Sequence, residues 1–450
     1  MIRRLRHPLA LLLQLLALGL LVGLACWPLN HVDQLQDRLL ALLPGFSNSA
    51  WTLHSRLIAA SPLVVMPLLL VLQNGWLRAG SGSGIPQTMV SLEQPQRAGR
   101  LLGPRATITR LVLWTIASLA LFPLGREGPV VQVGAAVAHA LRRRLPHWLP
   151  ALSTQQMLAV GAGAGLAGGF NSPLMGLIFV MEELTGRFQR TVLWPGAIVC
   201  LSAALLSNLG GIGLFPLGLA AEPVAEPLQL LWALPLGAGA GLLGGVFART
   251  LVRATAWLKP RLIQQPLGWG LALGAGLAAL ALLTGGWSGG DGEALMRHML
   301  AGSPPQPAAG SPLGILGWLL VMLARLVAPV LALAAGVPGG LIDPAFSLGA
   351  VFGSGVLELL GGSSALGLAL GMAGALAGAT QLPLSTVVFA MRMAGDAQWL
   401  WGLLLSAVLG AYVGRRLQPQ PVYHALTELT AATTPQTPDP EHGQNRGFQA

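Results

Sequence analysis

Long apolar runs recur along the chain and are separated by short stretches rich in glycine, proline and arginine. Several runs reach the roughly 20 residues that a helix needs to cross a bilayer. Only 9% of the residues are charged, which is too few to solvate the surface of a large soluble helical core. The pattern predicts an all-α polytopic membrane protein. The runs are Leu9–Trp27, Leu57–Leu72, Thr107–Leu124, Leu158–Val180, Val192–Leu209, Leu228–Phe247, Leu267–Leu283, Leu313–Ala335, Ala365–Ala390 and Leu400–Val413.

The net charge of +10 comes almost entirely from arginine, because Lys259 is the only lysine. Arginines beside apolar runs are typical of cytoplasmic loops, so this excess does not indicate nucleic-acid binding. Arginines lie within residues 2–6, before the first run, and at residues 415–416, after the last one. This distribution predicts that both termini are cytoplasmic. The first run ends without an Ala-x-Ala cleavage site, so residues 1–29 are predicted to form a retained N-terminal helix.

Two pairs of segments match each other in order along the chain. Arg110-Leu111-Val112 and the glycines and proline after it recur 215 residues later, from Arg325. The segment "LAGGFNSPLMGLIFVME" at Leu166 matches "LAGATQLPLSTVVFAMR" at Leu376, 210 residues later. We therefore predict two related transmembrane repeats, at 30–215 and 225–418. The arginines at 142–144 have no basic counterparts at 357–359, which favours an inverted relation between the repeats.

The last stretch, 419–450, is predicted to contain the end of the last helix and then a disordered tail, because its composition becomes polar and proline-rich. Cys26 and Cys200 each stand alone in apolar surroundings, so neither a disulfide nor a metal site is expected. A phosphate-binding loop needs G-x-x-x-x-G-K-[ST], and Lys259 lies in no such motif. We therefore expect no metal and no nucleotide or other cofactor.

Three short segments framed by glycine and proline interrupt the apolar runs. They are "GSGIPQ" at Gly82–Gln87, "GREGP" at Gly125–Pro129 and "GGLIDP" at Gly339–Pro344. Glycine lets the backbone approach a ligand closely, and proline suits the first turn of a helix. A helix that begins there directs free N–H groups at the preceding loop, which makes an anion site. Two of the three occupy matched repeat positions, so an anion site is favoured over ordinary turns.

Carboxylates also lie in or beside the apolar runs, where each costs about 2.5–3.5 kcal/mol on insertion scales. Glu127 stands at the start of a predicted helix, so it can occupy the anion site when ionised and leave when protonated. Glu182 and Glu183 close another helix. A helix end that has reached water explains that pair equally well.

At these motifs the chain resembles the CLC family of chloride channels and chloride/proton antiporters. "GSGIP", "GREGP", "GLAGGFNSPLMGLIFVMEE" and "PVYHAL" carry the resemblance, which extends to about Leu426. It implies a homodimer with one pore per subunit, built from tilted and broken helices in two inverted repeats. It also implies a multi-pass protein in the lipid of a bacterial inner membrane, with chloride and protons as the transported ions.

The resemblance implies a role for each matching residue. Glu127 corresponds to the external gating glutamate, and Glu183 to the internal glutamate that transfers protons. Ser83 and Tyr423 correspond to the residues whose hydroxyl groups coordinate the central anion, and serine at this position favours chloride over nitrate. The other residues expected to bind the anion are Gly82, Gly84, Ile85, Pro86, Arg126, Gly128, Leu341 and Ile342.

The chain departs from the family pattern at several positions. Ile342 replaces a common phenylalanine, Asp343 is an additional acid, and Arg392 stands where an acid is usual. The acid at Glu183 favours an exchanger, so we predict a chloride/proton antiporter rather than an enzyme. A passive gated chloride channel on the same scaffold and an unrelated transporter of organic anions are the alternatives.

Overall fold

The structure is a computed structural model, and the parts of the chain that it describes are 2–146, 152–207, 228–301, 314–394 and 397–432. The predicted tail beyond 432, the junction between the predicted repeats and the end of the Val192–Leu209 run lie outside these residues. Within the described ranges the protein is helical, without a named strand, and contains one isolated antiparallel bridge between Gly125 and Gly340. The predicted all-α class is confirmed.

The α-helices of the described residues fall into two groups along the chain, one before and one after residues 208–227. Those up to residue 207 are α1 Ile2–Leu40, α2 Pro44–Ser47, α3 Leu53–Ala59, α4 Pro62–Asn74, α5 Ile85–Glu93, α6 Ala98–Leu101, α7 Pro104–Leu119, α8 Glu127–Arg144, α9 Thr154–Phe170, α10 Pro173–Phe179 and α11 Arg190–Ser207. Those from residue 233 are α12 Ala233–Gln264, α13 Pro266–Leu283, α14 Glu293–Leu300, α15 Gly314–Ala334, α16 Ile342–Leu359, α17 Ser364–Thr380, α18 Pro383–Ala394, α19 Leu400–Leu417 and α20 Val422–Ala431.

Eight helical segments in the described ranges are long and apolar enough to cross a membrane. In α1 only 33% of the most apolar window is buried inside the protein, so most of its apolar surface is left to face lipid. The predicted multi-pass membrane protein is confirmed. Helix α1 continues past the predicted division at residue 29 and ends at Leu40, because a membrane helix tolerates Pro28. Its last turns still pack inside the protein, where Gln36 donates to the carbonyl oxygen of Ser118.

Helices of the two predicted repeats correspond in length and position. Helices α8 and α16 have 18 residues each and begin 215 positions apart. Helices α9 and α17 have 17 residues each and begin 210 positions apart. They are followed by the C-cap residues Asn171 and Gln381, both with left-handed backbones. A duplicated architecture predicts this correspondence, while the repeat boundaries and their inverted orientation stay predictions.

Glycines allow the corresponding helix pairs to pack with their backbones in contact. A Cβ atom added to Gly134 of α8 would lie 2.0 Å from the carbonyl oxygen of Gly161 of α9. In the other pair, a Cβ at Gly349 of α16 would lie 2.2 Å from the carbonyl oxygen of Gly371 of α17. Small residues permit such close approach of membrane helices. The two glycine contacts therefore set the positions of α8 and α16, whose first turns carry two of the predicted anion-binding motifs.

Replacing Gly134 by alanine should destabilise the protein, because the carbonyl oxygen of Gly161 belongs to the backbone and cannot move aside. Overpacking of this kind costs about 1–3 kcal/mol. We expect a clear fall in the thermal unfolding midpoint of Gly134→Ala in detergent. Gly268→Ala on α13, where an added Cβ meets nothing within 4 Å, is the matched control and should keep the original midpoint. Equal midpoints for the two variants would contradict the proposed packing.

Candidate functional site

The three glycine-framed segments, far apart in sequence, meet in the interior. A Cβ atom on Gly84 would lie 2.3 Å from the carbonyl oxygen of Gly128, and one on Gly128 would lie 2.2 Å from that of Ser83. Gly125 and Gly340 exchange two backbone hydrogen bonds, of 3.0 and 2.7 Å. The first turns of α5, α8 and α16 therefore lie side by side, as an anion site built from helix N-termini requires.

The loop before α5 is held in a conformation that favours glycine. Gly82 and Gly84 have φ angles of 91° and 118°, and the Gly84 N–H donates to Oε1 of Gln87 at 2.8 Å. Buried Arg110 donates from Nε to the Gly82 carbonyl and from Nη2 to that of Ser81, each at 2.9 Å. The sequence marked Arg110 only as part of a repeat, and the structure shows that it holds this loop. The predicted anion-binding residues in this loop and the first turn of α5 are Gly82, Ser83, Gly84, Ile85 and Pro86.

Glu127, the first residue of α8, is completely buried. Its Oε1 accepts the backbone N–H of Asp343 at 2.7 Å, and its Oε2 has no hydrogen-bond partner among the described residues. Leu341 and Ile342, which were predicted to bind the anion, are buried immediately before that N–H group. The Glu127 carboxylate therefore occupies a helix N-terminus of the kind that binds anions.

Tyr423, the second residue of α20, is 1% exposed, and its ring meets that of Phe179 edge-on at 6.3 Å. Its hydroxyl has no hydrogen-bond partner among the described residues, although a buried tyrosine hydroxyl usually finds one. Glu127, Glu183 and Asp343 all lie within electrostatic range of this hydroxyl. It therefore interacts electrostatically with both predicted proton-carrying acids and is available to a bound ion.

Arg126 immediately precedes α8 and is held by acidic groups of two other helices. Its guanidinium forms a hydrogen-bonded ion pair with Asp33 of α1 and lies 3.5 Å from Glu293 of α14. Arg297 pairs with Asp37 and lies 3.5 Å from the same Glu293. Glu293 lies outside the membrane-spanning segments, and burial raises its pKa to about 8 against the opposing effect of Arg126. We call these five residues the arginine–carboxylate network; the sequence did not reveal its acids.

Glu182 and Glu183 have different surroundings, although they are adjacent in the π-helical turn Val180–Leu184. The Glu182 carboxylate accepts the backbone N–H groups of Leu384 and Ser385 at the start of α18, at 3.0 and 2.5 Å. The Glu183 side chain is only 2% exposed, and its Oε1 has no hydrogen-bond partner among the described residues. A solvated helix end does not explain Glu183, because burying an unpaired carboxylate is costly.

His424 connects Glu183 to a cavity at the surface. Its Nε2 lies 3.9 Å from Oε1 of Glu183, while its side chain is 46% exposed. The cavity that His424 lines has a volume of about 330 Å³ and is also bordered by Glu93 and Glu428. Sequence reasoning did not select His424, although it directly follows Tyr423 in the quoted "PVYHAL" segment.

The chain is similar to known membrane transport proteins over nearly its whole length. The family model described as "Voltage gated chloride channel" matches residues 62–415. The H(+)/Cl(-) exchange transporter ClcA of Yersinia pseudotuberculosis serotype IB is 27% identical over 461 residues, covering 96% of this chain and 90% of that protein. The protein of the same name from Salmonella arizonae is 27% identical over 467 residues, covering 96% and 91%.

Solved structures show the same fold. A slow cyanobacterial Cl-/H+ antiporter superimposes with a TM-score of 0.75 at 22% identity, covering 94% of this chain and 98% of that one. A CLC-type fluoride/proton antiporter has a TM-score of 0.72 at 23% identity, covering 92% and 96%. The predicted CLC-type architecture is confirmed.

Replacing Arg126 by glutamine should destabilise the protein, because Asp33 and Glu293 lose their shared cation. Removing one partner of a buried ion pair costs about 3–5 kcal/mol. Thermal unfolding in detergent should show a large fall in the midpoint, and adding Asp33→Asn should recover part of it. Arg105→Gln, at an exposed position in α7, is the control and should behave as the unmodified protein. A double variant no more stable than Arg126→Gln alone would count against this pairing.

Proposed function

The chain belongs to the voltage-gated chloride channel family, and from this we propose that the protein is a chloride/proton antiporter of a bacterial inner membrane. Chloride passes the first turns of α5, α8 and α16, and protons move between Glu183 and Glu127. Both termini lie on the cytoplasmic side. The observation that carries the proposal is the hydrogen bond from the Asp343 N–H to the buried Glu127 carboxylate, which occupies a place suited to an anion.

Chloride is bound by dipoles in this proposal. Backbone N–H groups at the three helix beginnings and the hydroxyls of Ser83 and Tyr423 supply the donors. Gly82, Gly84 and Gly128 leave room for an ion, while Ile85, Pro86, Leu341 and Ile342 shape the first turns around it. Arg126 positions the start of α8 through its pairing with Asp33. Because its donors carry only partial charges, the site can release the ion again.

Coupling follows from competition for these donors. An ionised Glu127 takes the donors that chloride needs, whereas a protonated carboxyl group is a weaker acceptor and yields the site. Each visit of chloride is therefore linked to a proton on Glu127. Protons reach the interior by way of Glu183. This residue lies next to His424, which lines the surface cavity.

A passive gated chloride channel would use the same helix beginnings and the same gate. It would have no need for a second buried acid. Glu183 is such an acid, and it differs from Glu182, which accepts two backbone N–H groups, in that its Oε1 has no hydrogen-bond partner among the described residues. This difference favours the antiporter.

In liposomes, a chloride gradient should drive proton movement by the unmodified protein, followed with chloride and pH measured together. Glu183→Gln keeps the shape of the side chain but cannot release a proton near neutral pH, so chloride should cross while proton movement stops. Glu182→Gln is the matched control and should retain coupled transport. Chloride flux without proton movement in the unmodified protein would establish the channel instead.

The homodimer belongs to the same proposal. Helix α11 exposes Leu201 and Leu205, at 51% and 64%, and α19 exposes Trp401 and Val408, at 71% and 51%. Helices α11 and α19 are connected through α10 and α18, since α10 contacts both α11 and α18, and α18 contacts α19. We assign this combined apolar face to contact with a second copy of the chain, with the remaining apolar faces in lipid.

Tryptophan at both Leu205 and Val408 should prevent two such faces from meeting and produce a monomer. The monomer should still exchange chloride for protons, since every proposed site residue comes from one chain. Light scattering and crosslinking in mild detergent would measure the assembly. Leu271→Trp, on an exposed position of α13, should remain dimeric. An unmodified protein that is monomeric under the same conditions would remove the dimer from the proposal.

A further inference from the structure

The gate contains a second carboxyl group in addition to that of Glu127. Asp343, the second residue of α16, is 3% exposed, and its own backbone N–H donates to Glu127. Each of the two carboxyl groups also acts electrostatically on the other. The fold thus brings together two buried carboxyl groups whose residues are 216 positions apart in the chain, beside the proposed anion path.

Contact between two buried carboxyl groups restricts their protonation. An ionised carboxylate only accepts hydrogen bonds, so a hydrogen bond between the two requires a proton on one of them. Two negative charges on neighbouring buried carboxyl groups also repel each other too strongly for both groups to ionise. Glu127 Oε2 and Asp343 Oδ2 both have no partner among the described residues, so nothing described there compensates a second charge.

The charged groups around the pair do not remove this restriction. Those whose fields reach Asp343 are Glu127, Asp291 and Arg126, of which two are acids. Arg126 is shared with Asp33 and Glu293.

Two further groups face this region from neighbouring helices. Arg325 of α15 donates to the carbonyl groups of Gly289 and Gly290, and the hydroxyl of Tyr423 lies within range of both carboxyl groups.

We propose that Asp343 and Glu127 act as one carboxyl pair that holds a shared proton and passes it between Glu127 Oε and Asp343 Oδ. When Glu127 binds the helix donors as a carboxylate, the proton resides on Asp343. When the proton returns to Glu127, the gate opens without taking a proton from solution. This inference rests on the proposed role of Glu127 as the gate.

A consequence is that the pH dependence of chloride flux differs from that of a gate with one acid. A single glutamate must take a proton from solution, so flux falls as the pH rises through its titration. A pair that retains one proton keeps opening until that last proton is lost, at higher pH.

The test measures chloride efflux from liposomes against pH, with the same pH on both sides. Asp343→Asn keeps the shape but cannot share a proton, and should shift the midpoint of the fall in flux to lower pH by about one unit or more. Asp343→Ala should shift it in the same direction. Glu358→Gln, at the exposed far end of α16, should leave the midpoint unchanged.

Repeating the measurement in a protein that carries Glu127→Gln shows whether Asp343 acts through Glu127 or independently of it. There the flux should be nearly independent of pH, and adding Asp343→Asn should change nothing. A midpoint that coincides in the Asp343→Asn and unmodified proteins would overturn the proposal. So would a shift that persists undiminished in the Glu127→Gln background. This test uses chloride flux alone. A protein that moves chloride without protons would overturn the proposed antiporter, but the test of the carboxyl pair would still apply.

Discussion

The arrangement of the interior depends on backbone N–H groups that must find partners inside the membrane. Helices that begin within the protein leave such groups free, and lipid offers them nothing to bind. Here the beginnings of α5, α8 and α16 are brought together, with Gly125 and Gly340 joined by two backbone hydrogen bonds. The Asp343 N–H at the start of α16 donates to the Glu127 carboxylate. Meeting this requirement inside the protein thus produces the kind of arrangement that binds anions.

Buried arginines support this arrangement by holding loops and helix beginnings in position. Arg110 holds the carbonyl groups of the loop before α5, and Arg126 ties the start of α8 to α1 and α14. Because these guanidinium groups are bound to carbonyl oxygens and carboxylates, they fix the relative positions of the elements that they join.

The three acids near the path show how surroundings differentiate the same chemical group. Glu182 is neutralised by two backbone N–H groups and stabilises the start of α18. Glu127 accepts one such group and shares its environment with Asp343. Glu183 lies 3.9 Å from His424, and its Oε1 has no hydrogen-bond partner among the described residues. Partners and burial, more than residue type, thus separate a structural acid from those suited to carry protons.

The sequence determined the class of the protein, because apolar runs and scarce charge permit only helices in a membrane, and the glycine–proline motifs identified the family and the helix beginnings. It also revealed the matched segments, since residues needed for close helix packing recur at a constant offset. Tertiary structure alone decided which acids share an environment. Asp33, Asp343 and His424 carry no local pattern that names their partners, and Arg126 meets Asp33 across 93 residues. Contacts of this kind depend on how distant helices pack, and the free energy of a buried charge depends on every group around it.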